Sequence, residues 1–240
     1  MNVSFEDKET QYIAGISFAN FKQFNENNFK PDTILCLEEI NEFNRMRYEK
    51  RKRDFLMGRY CAKFALKEIV HDISIPDICI HNGFFKQPII EYSININCDV
   101  SISHCECYGI SIAFPNELMV GIDVEMIRER SMNTIKSQLT QTEKKQIDLF
   151  QNTQLYTVMW TIKEALSKAL KIGFTVPLNI YEIDKISYDG LLYNCTFVNF
   201  PQFQAVAYII KCYVVTIVYP ANLKLTGRES LINFLSDLHM

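Results

Sequence analysis

The sequence predicts an α+β protein built from two similar halves, and three observations support this. Hydrophobic residues make up 48% and charged residues 22% of the 240 residues, a balance typical of a chain with a packed core. Helical stretches followed by short strands with turn dipeptides occur twice along the chain. A repeated element order indicates two similar α+β halves, which we place at residues 1–117 and 118–240.

The first half contains one long helical stretch and several short strands. The stretch from Leu37 to Val70 carries apolar residues at helical spacing, which marks one buried face: Phe55, Ala62, Leu66 and Ile69. Asn82-Gly83 predicts a hairpin turn. Alternating apolar residues predict strands at 10–18, 100–104, 108–114 and 118–125. Pro115-Asn116 separates the last two, which predicts that they form a hairpin.

The second half repeats helices and then strands. The spacing of apolar residues predicts helices over 139–150 and 155–172. Asp189-Gly190 predicts a turn, and the segment 205–220, which Lys211 interrupts, predicts a pair of strands. That segment is too short and too interrupted to form a membrane helix.

Charge and cysteine usage limit the possible partners and location. A net charge of −3 argues against a nucleic-acid or membrane-surface partner, so an anionic ligand would need a local basic cluster. The polar, acidic N-terminus does not have the pattern of a signal peptide. The eight cysteines are spread along the chain without a secretion signal, which predicts reduced thiols in a cytoplasmic protein.

The segment Gly-Ile-Asp-Val-Glu at 121–125 predicts a strand with one acidic face. Successive side chains of a strand point to opposite faces, so Ile122 and Val124 share one face. Asp123 and Glu125 then share the other. An acidic face of this kind meets either water or a cation, and the five residues alone leave both open.

The helical segment 160–170 places Trp160, Glu164 and Lys168 on one side, away from its apolar residues. A solvated face with a Glu164–Lys168 ion pair would explain the two charges, and such a pair contributes only ~0.3–0.5 kcal/mol. The large apolar ring of Trp160 on this side indicates instead that the face is covered or lines a cleft.

Two stretches of the first half could bind phosphate. Ser103 and His104 close a predicted strand, and both side chains can donate hydrogen bonds to phosphate oxygens. Basic residues crowd the helical segment 48–67 and could hold an anion, although a solvated surface is the simpler explanation for the last two: Arg51, Lys52, Arg53, Arg59, Lys63 and Lys67. Thr140 and Glu143 fit a helix capping box, a structural role that explains Glu143 fully.

In order and spacing, these stretches resemble the Sfp-type 4′-phosphopantetheinyl transferases. The matching segments are FLMGR, SISH, GIDVE, LTQTE and WTIKEALSKAL, and they span residues 50 to 175. The first two are closest in wording to the siderophore-synthetase branch of the family, which implies a role in siderophore, nonribosomal peptide or other secondary-metabolite biosynthesis. The family fold implied is a pseudo-twofold pair of α+β halves in a monomer, with the active site in the cleft between them.

The resemblance also implies roles for individual residues. Asp123, Glu125 and Glu164 would hold Mg²⁺, with Mn²⁺ as an alternative, and Lys168 would neutralise the pyrophosphate of coenzyme A. Glu143 matches the acid proposed in this family as the catalytic base. Contacts to the phosphates and the adenosine end of coenzyme A would come from the first half: Lys52, Arg53, Arg59, Lys86, Gln87, Pro88, Ser103 and His104.

The function implied is transfer of phosphopantetheine from coenzyme A to a serine of an acyl or peptidyl carrier protein. The products would be holo-carrier protein and 3′,5′-ADP. Two other classes remain as alternatives. One is another Mg²⁺-dependent phosphate enzyme, such as a pyrophosphatase or nuclease, and the other is a non-catalytic coenzyme A-binding homologue.

Overall fold

The computed structural model describes residues 1–21, 30–92 and 96–236, and the chain divides into two compact units. Unit 1 comprises Met1–Leu118 and Lys224–Met240, and unit 2 comprises Met119–Leu223. The sequence-based division ends the first half at residue 117 and assigns everything after it to the second. The structure differs at the C-terminal end, because strand Lys224–Thr226 pairs with strand Asn2–Glu6.

Unit 1 contains a five-stranded antiparallel sheet, a separate hairpin and a long helix. Its strands are β1 (Asn2–Glu6), β2 (Gln11–Asn20), β3 (Cys79–Asn82), β4 (Pro88–Glu91), β5 (Cys98–Cys105), β6 (Tyr108–Pro115) and β12 (Lys224–Thr226). Its helices are α1 (Leu37–Arg45), α2 (Glu49–Ile69) and α6 (Arg228–Ser236). The sheet order is β12-β1-β2-β6-β5, with β3 and β4 paired apart from it. Helix α2 packs across β2, β6 and β5.

Unit 2 repeats this plan of a long helix on an antiparallel sheet. Its strands are β7 (Gly121–Met126), β8 (Ile183–Tyr188), β9 (Tyr193–Phe197), β10 (Phe203–Ile210) and β11 (Tyr213–Pro220), in the order β7-β11-β10-β9-β8. Its helices are α3 (Glu129–Gln138), α4 (Gln141–Phe150) and α5 (Leu155–Ala169). Helix α5 packs across β7, β11 and β10. The prediction of two similar α+β halves is confirmed.

Some predicted local elements are wrong. The predicted hairpin between 108–114 and 118–125 does not form, because β6 pairs with β2 and β5 whereas β7 pairs with β11. The helix predicted from Leu37 to Val70 is two helices, because Met46 and Tyr48 both adopt extended backbone conformations. The sequence analysis also did not predict β1, β12, α3 and α6, which are short elements of three to ten residues.

In each unit the long helix lies directly against a glycine of the neighbouring strand. A Cβ added at Gly121 of β7 would lie only 1.9 Å from the carbonyl oxygen of Ala165 in α5. A Cβ added at Gly15 of β2 would lie 2.2 Å from the carbonyl oxygen of Ala65 in α2. Only glycine permits so close an approach of helix and strand backbones. The two contacts also establish which positions of the units correspond.

A buried lysine–glutamate pair is also present in both units. In unit 2, Lys163 Nζ lies 2.8 Å from Glu143 Oε1, and both side chains are fully buried. In unit 1, Lys63 pairs with Glu39 in the same way, and these side chains are 0% and 2% exposed. Both glutamates lie in the first turn of the helix that precedes the long one. A buried charge is tolerated only when it is paired and hydrogen-bonded, so each pair joins two helices of its unit.

The state of two cysteines differs from the expectation of reduced thiols. Cys36 and Cys79 form a disulfide, with a Cα–Cα distance of 5.6 Å. The free thiols among the described residues are Cys61, Cys98, Cys105, Cys107, Cys195 and Cys212. Over the described ranges, none of the helices is both long enough and apolar enough to span a bilayer.

The glycine contact of unit 2 makes a stability prediction. We expect Gly121→Ala to lower the free energy of unfolding by at least about 2 kcal/mol, because helix α5 would have to move off strand β7. Gly58→Ala in α2 is the matched control, because its Cβ would lie 3.5 Å from the nearest atom. Urea unfolding of both variants checks this, and equal stabilities would contradict it.

Candidate active site

Strand β7 presents its two acids as the alternation predicts. Ile122 and Val124 are buried in the core, at 0% and 1% exposure. Asp123 and Glu125 point to the other face, where Asp123 is buried and Glu125 is half-buried.

Helix α5 brings a third acid and a lysine to the same region. Because Ala165 is fixed against Gly121, its helix neighbours Glu164 and Lys168 lie near the strand's acidic face. The Lys168 ammonium donates a hydrogen bond to Asp123 Oδ1 at 2.7 Å. The Glu164–Lys168 pair considered from the sequence is therefore not the main contact of Lys168, which instead partners the strand.

The acids influence one another. Burial raises the pKa of Glu164 to about 7, and the nearby charges of Asp123 and Glu125 add to this rise. The Lys168 ammonium opposes it. Burial is the largest cause of this rise, and the charges of Asp123 and Glu125 add a smaller contribution that a bound cation would offset.

The donor chemistry fits a hard divalent cation. Three carboxylates provide the oxygen ligands that Mg²⁺ prefers, and substrate oxygens and water usually complete its octahedral shell. Across residues 1–21, 30–92 and 96–236, the side chains of His, Cys, Asp and Glu form no group of three in a metal-binding geometry. In this structure the cation contacting Asp123 is the Lys168 ammonium.

A cavity of about 430 Å³ in unit 2 adjoins these acids. Glu125 and Trp160 both line it, so the indole ring covers a cavity wall as its position on the polar side of α5 indicated. Helix α3 and the segment before it supply most of the remaining wall, including Arg128, Arg130 and Ile135. The cavity therefore connects a carboxylate of the cluster to a wall with apolar and basic groups.

Glu143 lies in a different environment. It is fully buried, and its Oε2 accepts the Thr140 amide at 2.8 Å in the expected capping box. Its Oε1 accepts the Ile183 amide at 3.0 Å and pairs with Lys163. Both carboxylate oxygens of Glu143 thus have structural partners. These contacts support the helix-capping role that the sequence predicts.

Unit 1 contains a larger cavity, of about 570 Å³, with a basic wall. Four cationic side chains line it, together with Glu42 and Asp54: Lys50, Arg51, Arg59 and Lys86. His104 and Ile102 of β5 also line it, as do Tyr48 and Phe55. Basic, histidine and aromatic groups around one cavity suit an anion attached to a flat ring.

Four residues predicted from the sequence lie in this cavity wall and four do not. Arg59, Lys86, Pro88 and His104 line it. Lys52 instead pairs with Glu49 at 3.2 Å, and Arg53 pairs with Asp54 at 3.1 Å and stacks over Phe21. The neighbours Lys50 and Arg51 line the cavity in their place. Helix periodicity decides this, because residues two apart on a helix face different directions.

Ser103 and Gln87 also lie away from the cavity wall. Strand alternation places Ser103 on the buried face opposite to His104, at 5% exposure. Gln87 Oε1 accepts the amide of Phe85 at 3.0 Å, so its side chain closes its own turn. Lys86 has a φ of 64°, a left-handed conformation of the kind found in tight turns.

Among known protein families, the model that matches this chain aligns with unit 2. The model of the 4′-phosphopantetheinyl transferase superfamily matches residues 119–218. A holo-[acyl-carrier-protein] synthase of Staphylococcus saprophyticus is 35% identical over 85 residues, which cover 33% of this chain and 72% of that protein. The 4′-phosphopantetheinyl transferase gsp of Aneurinibacillus migulanus is 28% identical over 133 residues, or 53% of this chain and 54% of the relative.

Solved structures give weaker matches. A holo-(acyl-carrier-protein) synthase from Bacillus anthracis in complex with CoA (3′,5′-ADP) aligns with 42% of this chain and 93% of its own, at 23% identity and a TM-score of 0.37. A synthase from Neisseria meningitidis aligns with 42% of this chain at 20% identity and the same TM-score, 0.37.

The partners of Glu143 predict a loss of stability on substitution. We expect Glu143→Gln to reduce the free energy of unfolding by about 3–5 kcal/mol, because it leaves the Lys163 ammonium buried without a counter-charge. Adding Lys163→Met to Glu143→Gln should recover part of this loss. Asp148→Asn, at an exposed position of α4, is the control and should change stability by no more than about 0.5 kcal/mol. A fully stable Glu143→Gln variant without turnover would instead support the catalytic-base role.

The raised pKa of Glu164 predicts a pH dependence of stability in the metal-free protein. The folded protein holds this proton up to about pH 7, whereas the unfolded chain releases it near the ordinary glutamate pKa of 4.5. The stabilisation is therefore complete below pH 4.5 and is lost as pH rises through about 7. The difference in urea midpoint between wild type and Glu164→Gln should fall over this interval. A difference that is constant with pH would contradict the assignment.

Proposed function

Since the chain belongs to the 4′-phosphopantetheinyl transferase superfamily, we propose that it transfers phosphopantetheine from coenzyme A to a serine of a carrier protein. The products are holo-carrier protein and 3′,5′-ADP. The observation that carries the proposal is the cluster of Asp123, Glu125, Glu164 and Lys168 in unit 2, within the segment that the family model matches. Glu164 lies close enough to Asp123, Glu125 and Lys168 for their charges to affect its pKa, and Lys168 contacts Asp123 directly.

Asp123, Glu125 and Glu164 would hold Mg²⁺, or Mn²⁺ in its place. A bound ion would supply positive charge at the pyrophosphate of coenzyme A. The identity of the ion rests on the donor set, since oxygen ligands favour hard cations of this kind.

Lys168 is the chain's own contribution to charge stabilisation. Its ammonium contacts Asp123 in this structure, and its four-carbon stem allows the same group to turn toward a pyrophosphate oxygen. Phosphoryl transfer depends mainly on such positioning and charge neutralisation. The carrier serine attacks the phosphorus of the phosphopantetheine arm, and the bond from that phosphorus to 3′,5′-ADP breaks. The serine proton passes to water rather than to Glu143, because both Glu143 oxygens have structural partners.

Unit 1 would bind the nucleotide end of coenzyme A in its basic cavity. We assign the 3′-phosphate to Lys50, Arg51 and Lys86, which line the wall, rather than to Lys52 and Arg53. His104 would donate to another phosphate oxygen, and Arg59 would supply a fixed guanidinium. An anion held by several cations gains both affinity and orientation.

The proposal extends to the partner and the cellular setting. The carrier is an acyl or peptidyl carrier protein, and the wording of the SISH and FLMGR segments favours a peptidyl carrier of a siderophore or nonribosomal peptide pathway. We propose that the enzyme acts as a monomer in the cytoplasm. The cavity beside Glu125 and Trp160, with its mixed apolar and basic wall, would accept the phosphopantetheine arm.

The central experiment is incubation with coenzyme A, Mg²⁺ and purified apo-carriers of both types, followed by intact mass measurement. We expect a mass gain of one phosphopantetheine on at least one carrier, with release of 3′,5′-ADP only when a carrier is present. Release of 3′,5′-ADP without any carrier would indicate a pyrophosphatase. No mass gain on any carrier would refute the proposal.

Substitution of residues in the cluster should lower turnover. We expect Asp123→Asn and Lys168→Ala each to lower turnover at least about 100-fold, because each removes charge stabilisation from the reacting phosphate. Circular dichroism should show that both variants stay folded. Asp148→Asn is the matched control and should retain wild-type turnover. Near-normal turnover in either cluster variant would remove that residue from the mechanism.

A further inference from the structure

The disulfide of unit 1 lies at a position where unit 2 has a hydrogen bond. Cys36 immediately precedes α1 and Cys79 begins β3, so their bond ties the start of the helix to the hairpin strand. In unit 2, Thr140 immediately precedes α4 and Glu182 precedes β8. There the Thr140 hydroxyl donates to Glu182 Oε1 at 2.8 Å. Unit 2 shows that this tie can be made without a covalent bond.

The backbone at the two ends of this disulfide also binds the carboxylate of Glu39. Its Oε2 accepts the Cys36 amide at 2.9 Å, and its Oε1 accepts the Ile80 amide at 3.1 Å. One amide therefore belongs to a disulfide cysteine, and the other to the residue after its partner. Glu143 accepts the amides of Thr140 and Ile183 in the same pattern. The disulfide therefore lies beside both of the amides that orient the Glu39 carboxylate.

Glu39 in turn positions a cation of the basic cavity. Its Oε1 lies 3.0 Å from Arg59 Nε, and the guanidinium of Arg59 stacks over Phe55 at 4.6 Å. Both Arg59 and Phe55 line the cavity. The corresponding position of unit 2, four residues before the buried lysine, is the apolar Met159. Only the unit with the disulfide thus connects its glutamate to an arginine of a cavity wall.

The joined elements also contribute to the wall directly. Helix α1 supplies Glu42, and β3 supplies Asn82. Breaking the disulfide between α1 and β3 would therefore affect three residues of the cavity wall: Arg59, Glu42 and Asn82. Cys79 is half-buried, so a small thiol or disulfide reagent can approach one of the two sulfurs.

We propose that Cys36 and Cys79 form a reversible thiol–disulfide switch that sets the affinity of the unit 1 cavity for its phosphate ligand, through Glu39 and Arg59. In the closing reaction, two protein thiols and one small-molecule disulfide give the protein disulfide and two small-molecule thiols. In the opening reaction, two small-molecule thiols reduce the protein disulfide and are themselves oxidised to a disulfide. The closed form fixes Glu39 between α1 and β3 and holds the Arg59 guanidinium in place.

The opened form keeps the fold and loosens the cavity. The hydrogen bonds of Glu39 remain available, as their counterparts in unit 2 show. The start of α1 and the β3 strand are then no longer joined covalently, and the orientation of Arg59 is less restricted. We expect weaker ligand binding on reduction, because a less ordered cation loses more conformational freedom when it binds.

The test measures binding of 3′,5′-ADP to the full chain by calorimetry, after treatment with either oxidised glutathione or a phosphine reductant. Alkylation and mass measurement confirm the state of Cys36 and Cys79 in each sample. We expect a severalfold weaker affinity in the reduced sample and recovery on reoxidation. Equal affinities in samples of proven redox state would overturn the proposal.

Two variants make the test specific. Cys36→Thr combined with Cys79→Glu installs the pair found in unit 2, and it should bind 3′,5′-ADP with an affinity that no longer responds to redox state. Cys212→Ser removes an exposed thiol of unit 2 and should keep the full response. A response that persists in the first variant, or disappears in the second, would overturn the assignment to Cys36 and Cys79.

The proposal rests on the proposed nucleotide-binding role of unit 1, and a second readout separates the two. Amide hydrogen exchange at Cys36 and Ile80, the donors to Glu39, should be faster in the reduced protein. If 3′,5′-ADP binds neither the oxidised nor the reduced protein, the proposed nucleotide-binding role of unit 1 is refuted. The exchange rates of the Cys36 and Ile80 amides then test the thiol–disulfide switch by themselves. Unchanged exchange at both amides would overturn the switch itself.

Discussion

The contact of a helix carbonyl with a strand glycine fixes the arrangement on which the candidate site depends. In unit 2, Ala165 of α5 rests on Gly121 of β7, with no room for a Cβ between them. Asp123 follows that glycine by two residues, and Glu164 and Lys168 flank that alanine on the helix. Because the contact fixes both the register and the distance, the strand acid and the helix lysine meet at hydrogen-bonding distance. The chemistry of the cluster is thus set by a backbone contact several ångströms away.

The adjacent residues Lys163 and Glu164 illustrate how one helix serves two purposes. Successive residues of a helix are rotated by about 100°, so neighbours face different surroundings. Lys163 points into the core and neutralises Glu143, whereas Glu164 points to the acidic face of β7. The buried pair anchors the helix through Glu143 to α4 and β8, while the half-buried side of the helix carries Glu164 and Lys168. Loss of the buried pair would therefore disturb the cluster without touching it.

Local patterns in the sequence predicted the parts that depend on periodicity. Strand alternation correctly separated Ile122 and Val124 from Asp123 and Glu125, and the helical wheel placed Glu164 and Lys168 together. These local patterns could not predict which distant strands pair. For this reason β6 and β7 were predicted to form a hairpin, whereas each pairs with other strands. Nor could residue type distinguish Lys50 and Arg51 from Lys52 and Arg53, since only the packed helix decides which direction each faces. The role of Lys163 was missed because a lysine in the core has no signal of its own in a single sequence.

The correspondence between the two glycines shows how far the two copies of the plan have diverged. Counting from Gly15 and Ala65, unit 1 has Ser17, Ala19 and Phe64 at the positions that unit 2 fills with Asp123, Glu125 and Glu164. The scaffold is therefore repeated and the acids are not. The same packing of a helix on a strand glycine thus accommodates three carboxylates in one unit and uncharged residues in the other. A second copy of unit 1 in the place of unit 2 would therefore keep the contact between helix and glycine and would lack carboxylates at these three positions.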